Sequence, residues 1–188
     1  MLTKATLKII FFNLILILIN TSLSADTSKK IALENLFIEL KNAEHILDAK
    51  KTENKIWNIW SEHYNNEKLT KEMALGTKHM SNGNYVAAYK IFTNIIEQDP
   101  DWAEAWNKRA TVSFLMGNFK DSLKDINQTL IIEPRHFGAL SGSGLVYINL
   151  NKYEEAIKSY KAAQKIYPLI ESGKIIIKLK RLIKELEI

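Results

Sequence analysis

Residues 103–136 read AEAWNKRATVSFLMGNFKDSLKDINQTLIIEPRH. A turn signal, LMGNF, divides the stretch into two helix-length segments, and Pro134 stands past the end of the second. Small residues lie on either side of the turn, Ala110 before it and Ser122 after it, and bulky Ile126 follows. A shift of 34 residues in either direction finds the same landmarks: Pro100, Pro134 and Pro168 form one column, and Tyr85, Phe119 and Tyr153 a second. Gly83, Gly117 and Asn151 mark the turns SNGNY, LMGNF and NLNKY. Gly76, Ala110 and Gly144 are small, as are Ala88, Ser122 and Ala156, whereas Phe92, Ile126 and Tyr160 are large. Six columns in one register define an internal repeat.

A 34-residue unit with small residues at positions 8 and 20, a bulky one at 24 and proline at 32 resembles the tetratricopeptide repeat (TPR) family, exported bacterial type. The resemblance covers residues 69–170 as three repeats: 69–102, 103–136 and 137–170. His79 and Ser113 depart from the usual tyrosine at position 11, and Tyr147 restores it. The resemblance implies an all-α, right-handed solenoid of stacked antiparallel helix pairs, each a helix A and a helix B. Helices are expected at 70–82, 85–98, 102–116, 119–132, 136–150 and 153–166.

The glycine-rich run 138–144, GALSGSG, meets none of the catalytic alternatives. No Lys follows Gly144 as a phosphate loop requires, no strand context supports a dinucleotide turn, and neither Ser141 nor Ser143 has glycine on both sides at nucleophile-elbow spacing. In the repeat register, Gly144 is instead the small residue of position 8.

Residues 1–25, MLTKATLKIIFFNLILILINTSLSA, have Lys4 and Lys8 before an apolar run from Ile9 to Ile19, then small residues. That is the layout of a secretory signal peptide, with cleavage expected after Ser24 or Ala25. The run is short of the roughly 18 residues that span a membrane; an uncleaved anchor is the alternative. Removing the two lysines lowers the formal charge from +5 to +3. This mild excess gives no argument for nucleic acid. The absence of cysteine excludes disulfides and thiolate chemistry.

Two flanking segments are expected to close the stack. Residues 26–68 read as a degenerate helix pair, 28–50 and 53–64, acting as N-terminal cap. Leu33, Leu36, Phe37, Leu40, Ala43 and Leu47 recur on its first helix, and Ile56, Trp57, Ile59 and Trp60 on its second. Residues 171–188 read as a C-terminal capping helix with Ile175, Leu179, Leu182 and Leu186 on one face.

His45, His63, His79 and His136 lack metal-ligand spacing, and no acid/base pair is recognisable. The chain therefore reads as non-enzymatic, with no cofactor and no metal. The resemblance implies a ligand groove along the A helices, and its positions fall on Thr70, Met73, Thr77, Asn107, Lys108, Thr111, Ser141, Gly142 and Leu145. One TPR subclass clamps a peptide carboxylate. Its five positions hold Met73, Thr77, Lys108, Gly138 and Gly142 here, and only Lys108 suits that role. A peptide or partner helix bound by a periplasmic adaptor is the expected function. The other is a membrane-tethered envelope assembly factor, which touches the membrane only if the N-terminal segment stays uncut.

Overall fold

A computed structural model describes residues 27–186. The expected signal peptide, residues 1–25, lies outside the described residues. Within them the chain forms nine helices and no strand. These are α1 (27–41), α2 (Ile46–Ser61), α3 (Glu67–Ser81), α4 (Tyr85–Gln98), α5 (Ala103–Leu115), α6 (Phe119–Ile132), α7 (Phe137–Asn149), α8 (Tyr153–Ile166) and α9 (Gly173–Leu186). Three antiparallel pairs, α3–α4, α5–α6 and α7–α8, stack in order, each touching the next. The expected all-α helical solenoid is present.

The three intra-pair turns share one backbone device. Gly83, Gly117 and Asn151 have φ of +77°, +79° and +57°. Glycine adopts this left-handed region freely, and asparagine tolerates it better than most residues. α3 begins earlier than expected because the Asn66 side chain accepts a hydrogen bond from the Leu69 amide and caps it.

Close packing explains the alternation of small and large columns. A Cβ on Gly76 would lie 2.6 Å from the Phe92 ring, and one on Gly144 would lie 2.7 Å from the Tyr160 ring. Where the bulky partner is Ile126 rather than an aromatic ring, position 8 is Ala110, and the two share one buried cluster. Position 20 is buried in all three repeats, and the Ser122 hydroxyl donates to the Ala110 carbonyl at 2.8 Å. Adjacent repeats are also tied by Arg109. It donates twice to Asp125, at 2.7 and 2.8 Å, reaches Thr93 and lies over the Trp106 and Tyr89 rings.

The N-terminal pair differs from expectation in two ways. First, its turn falls at 42–45, not after residue 50. The second helix buries Ala49, Thr52, Ile56 and Trp60, spaced by three or four, and this face leaves Leu47 71% exposed. Second, its apolar contacts run to the inter-repeat turns rather than to the outer side of α3–α4. Leu33, Phe37, Leu40, Ala49, Ile56 and Trp60 form a cluster with Phe137 and Tyr167, joined by half-buried Leu169 and Ile170. The cluster of α3 and α4 draws its partners from α3 through α5 and the segments between them.

α2 therefore lies across successive turns as a strap. The Trp102 indole donates to the Trp60 carbonyl at 2.7 Å. The Trp60 ring stacks on His136, with centroids 4.0 Å apart. The Tyr167 hydroxyl donates to Glu53 at 3.2 Å, and Lys50 lies 3.8 Å from Glu171. Burial and the Glu53 carboxylate push the Tyr167 phenol up to about 12. From α1, Glu34 pairs with Arg135 at 2.6 Å, and Arg135 lies over the Phe37 ring.

At the other end, α9 packs on α8 through Ile176 and Leu179, with Ile175 and Ile183 beside them. The expected stripe is shifted. Leu182 is half-buried and Leu186 is 66% exposed.

Candidate partner-binding site

α5, α6 and α7 enclose a cleft of about 350 Å³, part of it open to solvent. Ala110, Phe114, Ser122, Ile126 and Leu145 supply most of its wall, and Asn107 and Thr111 supply polar edges. Gly138 and Gly142 form the α7 side. A Cβ at Gly142 would meet only Ile126, at 3.8 Å, so the cleft owes its depth there to the missing side chain.

Beside the cleft lies a buried carboxylate. Glu104 stands in the first turn of α5, where the positive helix end favours an acid. It is 0% exposed. The His136 Nδ1 accepts a bond from the Ala139 amide at 3.0 Å, capping α7. An amide only donates, so the ring proton sits on Nε2, which donates to Glu104 Oε2 at 2.9 Å. Asn107 Nδ2 donates to the same oxygen at 2.9 Å, and the Lys108 ammonium lies 3.1 Å from Oε1. Burial pushes the carboxyl up, but the His136 hydrogen bond and the Lys108 charge outweigh it and hold Glu104 below the usual carboxylate range. The Lys108 ammonium also lies over the Trp57 ring, 5.6 Å from its centroid. The group is structural in character: the Lys108 charge offsets that of Glu104, while neutral His136 and Asn107 hydrogen-bond its other oxygen beneath the strap.

The family model "Tetratricopeptide repeat" matches residues 137–170. A TPR repeat-containing protein of Rhizobium etli is 34% identical over 145 residues, which is 77% of this chain and 71% of that one. The chain belongs to the tetratricopeptide repeat family. Among solved structures, the first TPR domain of Spaghetti (RPAP3), bound to an HSP90 peptide, superposes with a TM-score of 0.60 at 24% identity, over 63% of this chain and 94% of that one. The TPR2B domain of yeast Sti1, in a complex with Hsp70, gives a TM-score of 0.56 at 20% identity, over 61% and 94%. The Dictyostelium discoideum homolog of DnaJ subfamily C member 7 is 26% identical over 60% of this chain, which spans only 21% of that protein.

In TPR terms the nine groove positions separate into three groups. Asn107, Thr111, Gly142 and Leu145 come together around the cleft. Lys108 and Thr70 face the N-terminal segment: Lys108 through Trp57, and Thr70 through its hydroxyl, which accepts from the His63 amide at 2.9 Å. Met73, Thr77 and Ser141 do not join the cleft. Met73 is a correction: it is 2% exposed and packs in the α3–α4 cluster, where the helix turns its side chain inward. Thr77 donates to the Met73 carbonyl, and the Ser141 hydroxyl is buried. Lys108, the one residue suited to a carboxylate clamp, is already engaged by Glu104.

The sequence reading passed over three contributors to this region. His136 read as an isolated histidine, and Trp57 and Trp60 as parts of a cap. The signal available was modest: His136 and Trp102 share the column just before each helix A, and α2 carries two tryptophans three residues apart.

Proposed function

We propose that this chain is a non-catalytic adaptor of a bacterial periplasm that holds a peptide or partner helix in the cleft between α5, α6 and α7. The carrying observation is the cleft itself. It is apolar in the middle, has polar groups at Asn107 and Thr111, and is kept open by glycine at 142. Such a cleft suits an apolar side chain of an extended or helical partner. The peptide complexes of RPAP3 and Sti1 share the fold and support protein binding as its use. Export is supported by the layout of residues 1–25, and a bacterial setting by the Rhizobium relative.

The test is site-specific photocrosslinking in cells from Thr111, which is exposed at the cleft edge, whereas Asn107 is buried. A discrete protein adduct from Thr111, absent when the probe is moved to exposed Lys90 on α4, is the expected result. Equal adducts from both positions, or none, would sink the proposal.

A membrane-tethered factor is the second reading. It is favoured by Lys174, Lys178, Lys180 and Arg181, all exposed on α9, a basic face that suits anionic lipid. N-terminal sequencing of the cellular protein separates the two. A start at Ala25 or Asp26 rules the tether out.

A further inference from the structure

The α1–α2 pair is built as a unit that docks, and it docks on the partner-binding region. Six of the eight buried residues in its cluster, from Leu33 to Trp60, belong to the pair itself; only Phe137 and Tyr167 come from the repeats. The three clusters inside the repeat stack contain no residue of α1 or α2. Each part therefore has a core of its own, and the contact between them is a seam.

The seam is chemically specific. Trp57 and Trp60, three residues apart on α2, insert against His136, Phe137 and Gly138. Glu53, one turn before Trp57, accepts the Tyr167 hydroxyl. The seam is also imperfect, since the Trp60 indole N–H is buried without a partner. An unmet buried donor of this kind is destabilising. Gly138 belongs to both surfaces: it lines the cleft, and Trp57 rests on it. The segment 62–66 between α2 and α3 is short, which keeps the pair at a local concentration on the order of millimolar.

We infer that α1–α2 is a displaceable occupant of this edge, and that the partner which replaces it is a helix bearing two aromatic rings three residues apart, with a carboxylate one turn earlier. A partner of that chemistry would reproduce the contacts of Glu53, Trp57 and Trp60 and gain access to the adjoining cleft. This rests on the adaptor reading above and adds its regulation.

Gly138→Ala is the discriminating variant in the full chain. Its new methyl would stand 2.5 Å from the Trp57 ring, and the other close neighbour is His136, at 3.3 Å. Alanine is also the better helix former, so α7 itself is not weakened. Hydrogen exchange should rise at least tenfold through residues 27–61 while α5, α6 and α8 keep their protection. A labelled synthetic peptide of residues 27–61 should bind full-length Trp57→Ala/Trp60→Ala and not wild type. A rise throughout the chain, no rise in 27–61, or equal peptide binding to both proteins would overturn the inference. If the double variant loses protection in α5–α8, the Gly138→Ala arm decides alone. Adducts from Thr111 with an unmoved strap would leave the adaptor reading intact and remove this one; a mobile strap without adducts would remove the adaptor reading and, with it, the replacing partner.

Discussion

Gly144 and Tyr160 show how one position constrains another sixteen residues away. The ring fills the space that a Cβ would need, at 2.7–2.9 Å from three of its carbons. Gly144→Ala should therefore destabilise the protein by about 2 kcal/mol, as overpacking does in a buried site. Gly142→Ala meets only Ile126 and should stabilise by about 0.5–1 kcal/mol through helix propensity. Urea unfolding of the two variants separates them, and equal shifts would reject the contrast. Glu104 makes a second residue-scale prediction. Its folded pKa is held below the ordinary 4.5, whereas the unfolded chain has the ordinary value. Its stabilising contribution is thus complete above that value and is lost as pH falls through the lowered folded pKa. Glu104→Gln should cost about 3 kcal/mol at pH 7, the scale for breaking a buried pair. The variant should lose less stability than wild type between pH 7 and pH 3. An undiminished acid loss in the variant would assign the effect to other carboxylates.

At the scale of one element, α9 depends on few contacts. Ile176 and Leu179 are buried against α8, and Leu186 reaches into solvent. Ile176→Ala should lower stability by about 3 kcal/mol, while Leu186→Ala should leave it within about 0.5 kcal/mol. Thermal melts of both variants check this, and a comparable loss in the two would restore the expected stripe through Leu186. The same element shows why periodicity alone misplaced that stripe. Ile175, Ile176 and Ile177 are consecutive, and Leu179, Leu182 and Ile183 follow, so two overlapping faces are equally apolar. The position of α8 selects the one with Ile176. α1 and α2 carried a similar ambiguity. Ala43 and Leu47 continue the spacing of Leu36 and Leu40, which hides the turn at 42–45.

For the whole molecule, stability should be graded along the stack. α5, α6 and α7 have neighbours on both sides, whereas α9 packs on α8 alone. In a nearest-neighbour array the ends open first. Hydrogen exchange should be slowest in α5–α7 and faster in α9, and uniform protection would point to a single cooperative unit. The stack was legible in the sequence because its packing is local and repeated. Each repeat must present the same small, bulky and turn-forming residues at the same spacing, so Gly83, Gly117 and Asn151 reveal a left-handed turn before any coordinates are known. Half of the cleft was legible for the same reason, as Asn107, Thr111, Gly142 and Leu145 occupy repeat positions. The strap was not. Its contacts join Trp60 to His136 and Glu53 to Tyr167, the latter 114 residues apart, and they occur once. A pairing without a period leaves no pattern along the chain. Shape and charge match, between α2 and the turn edge, placed it.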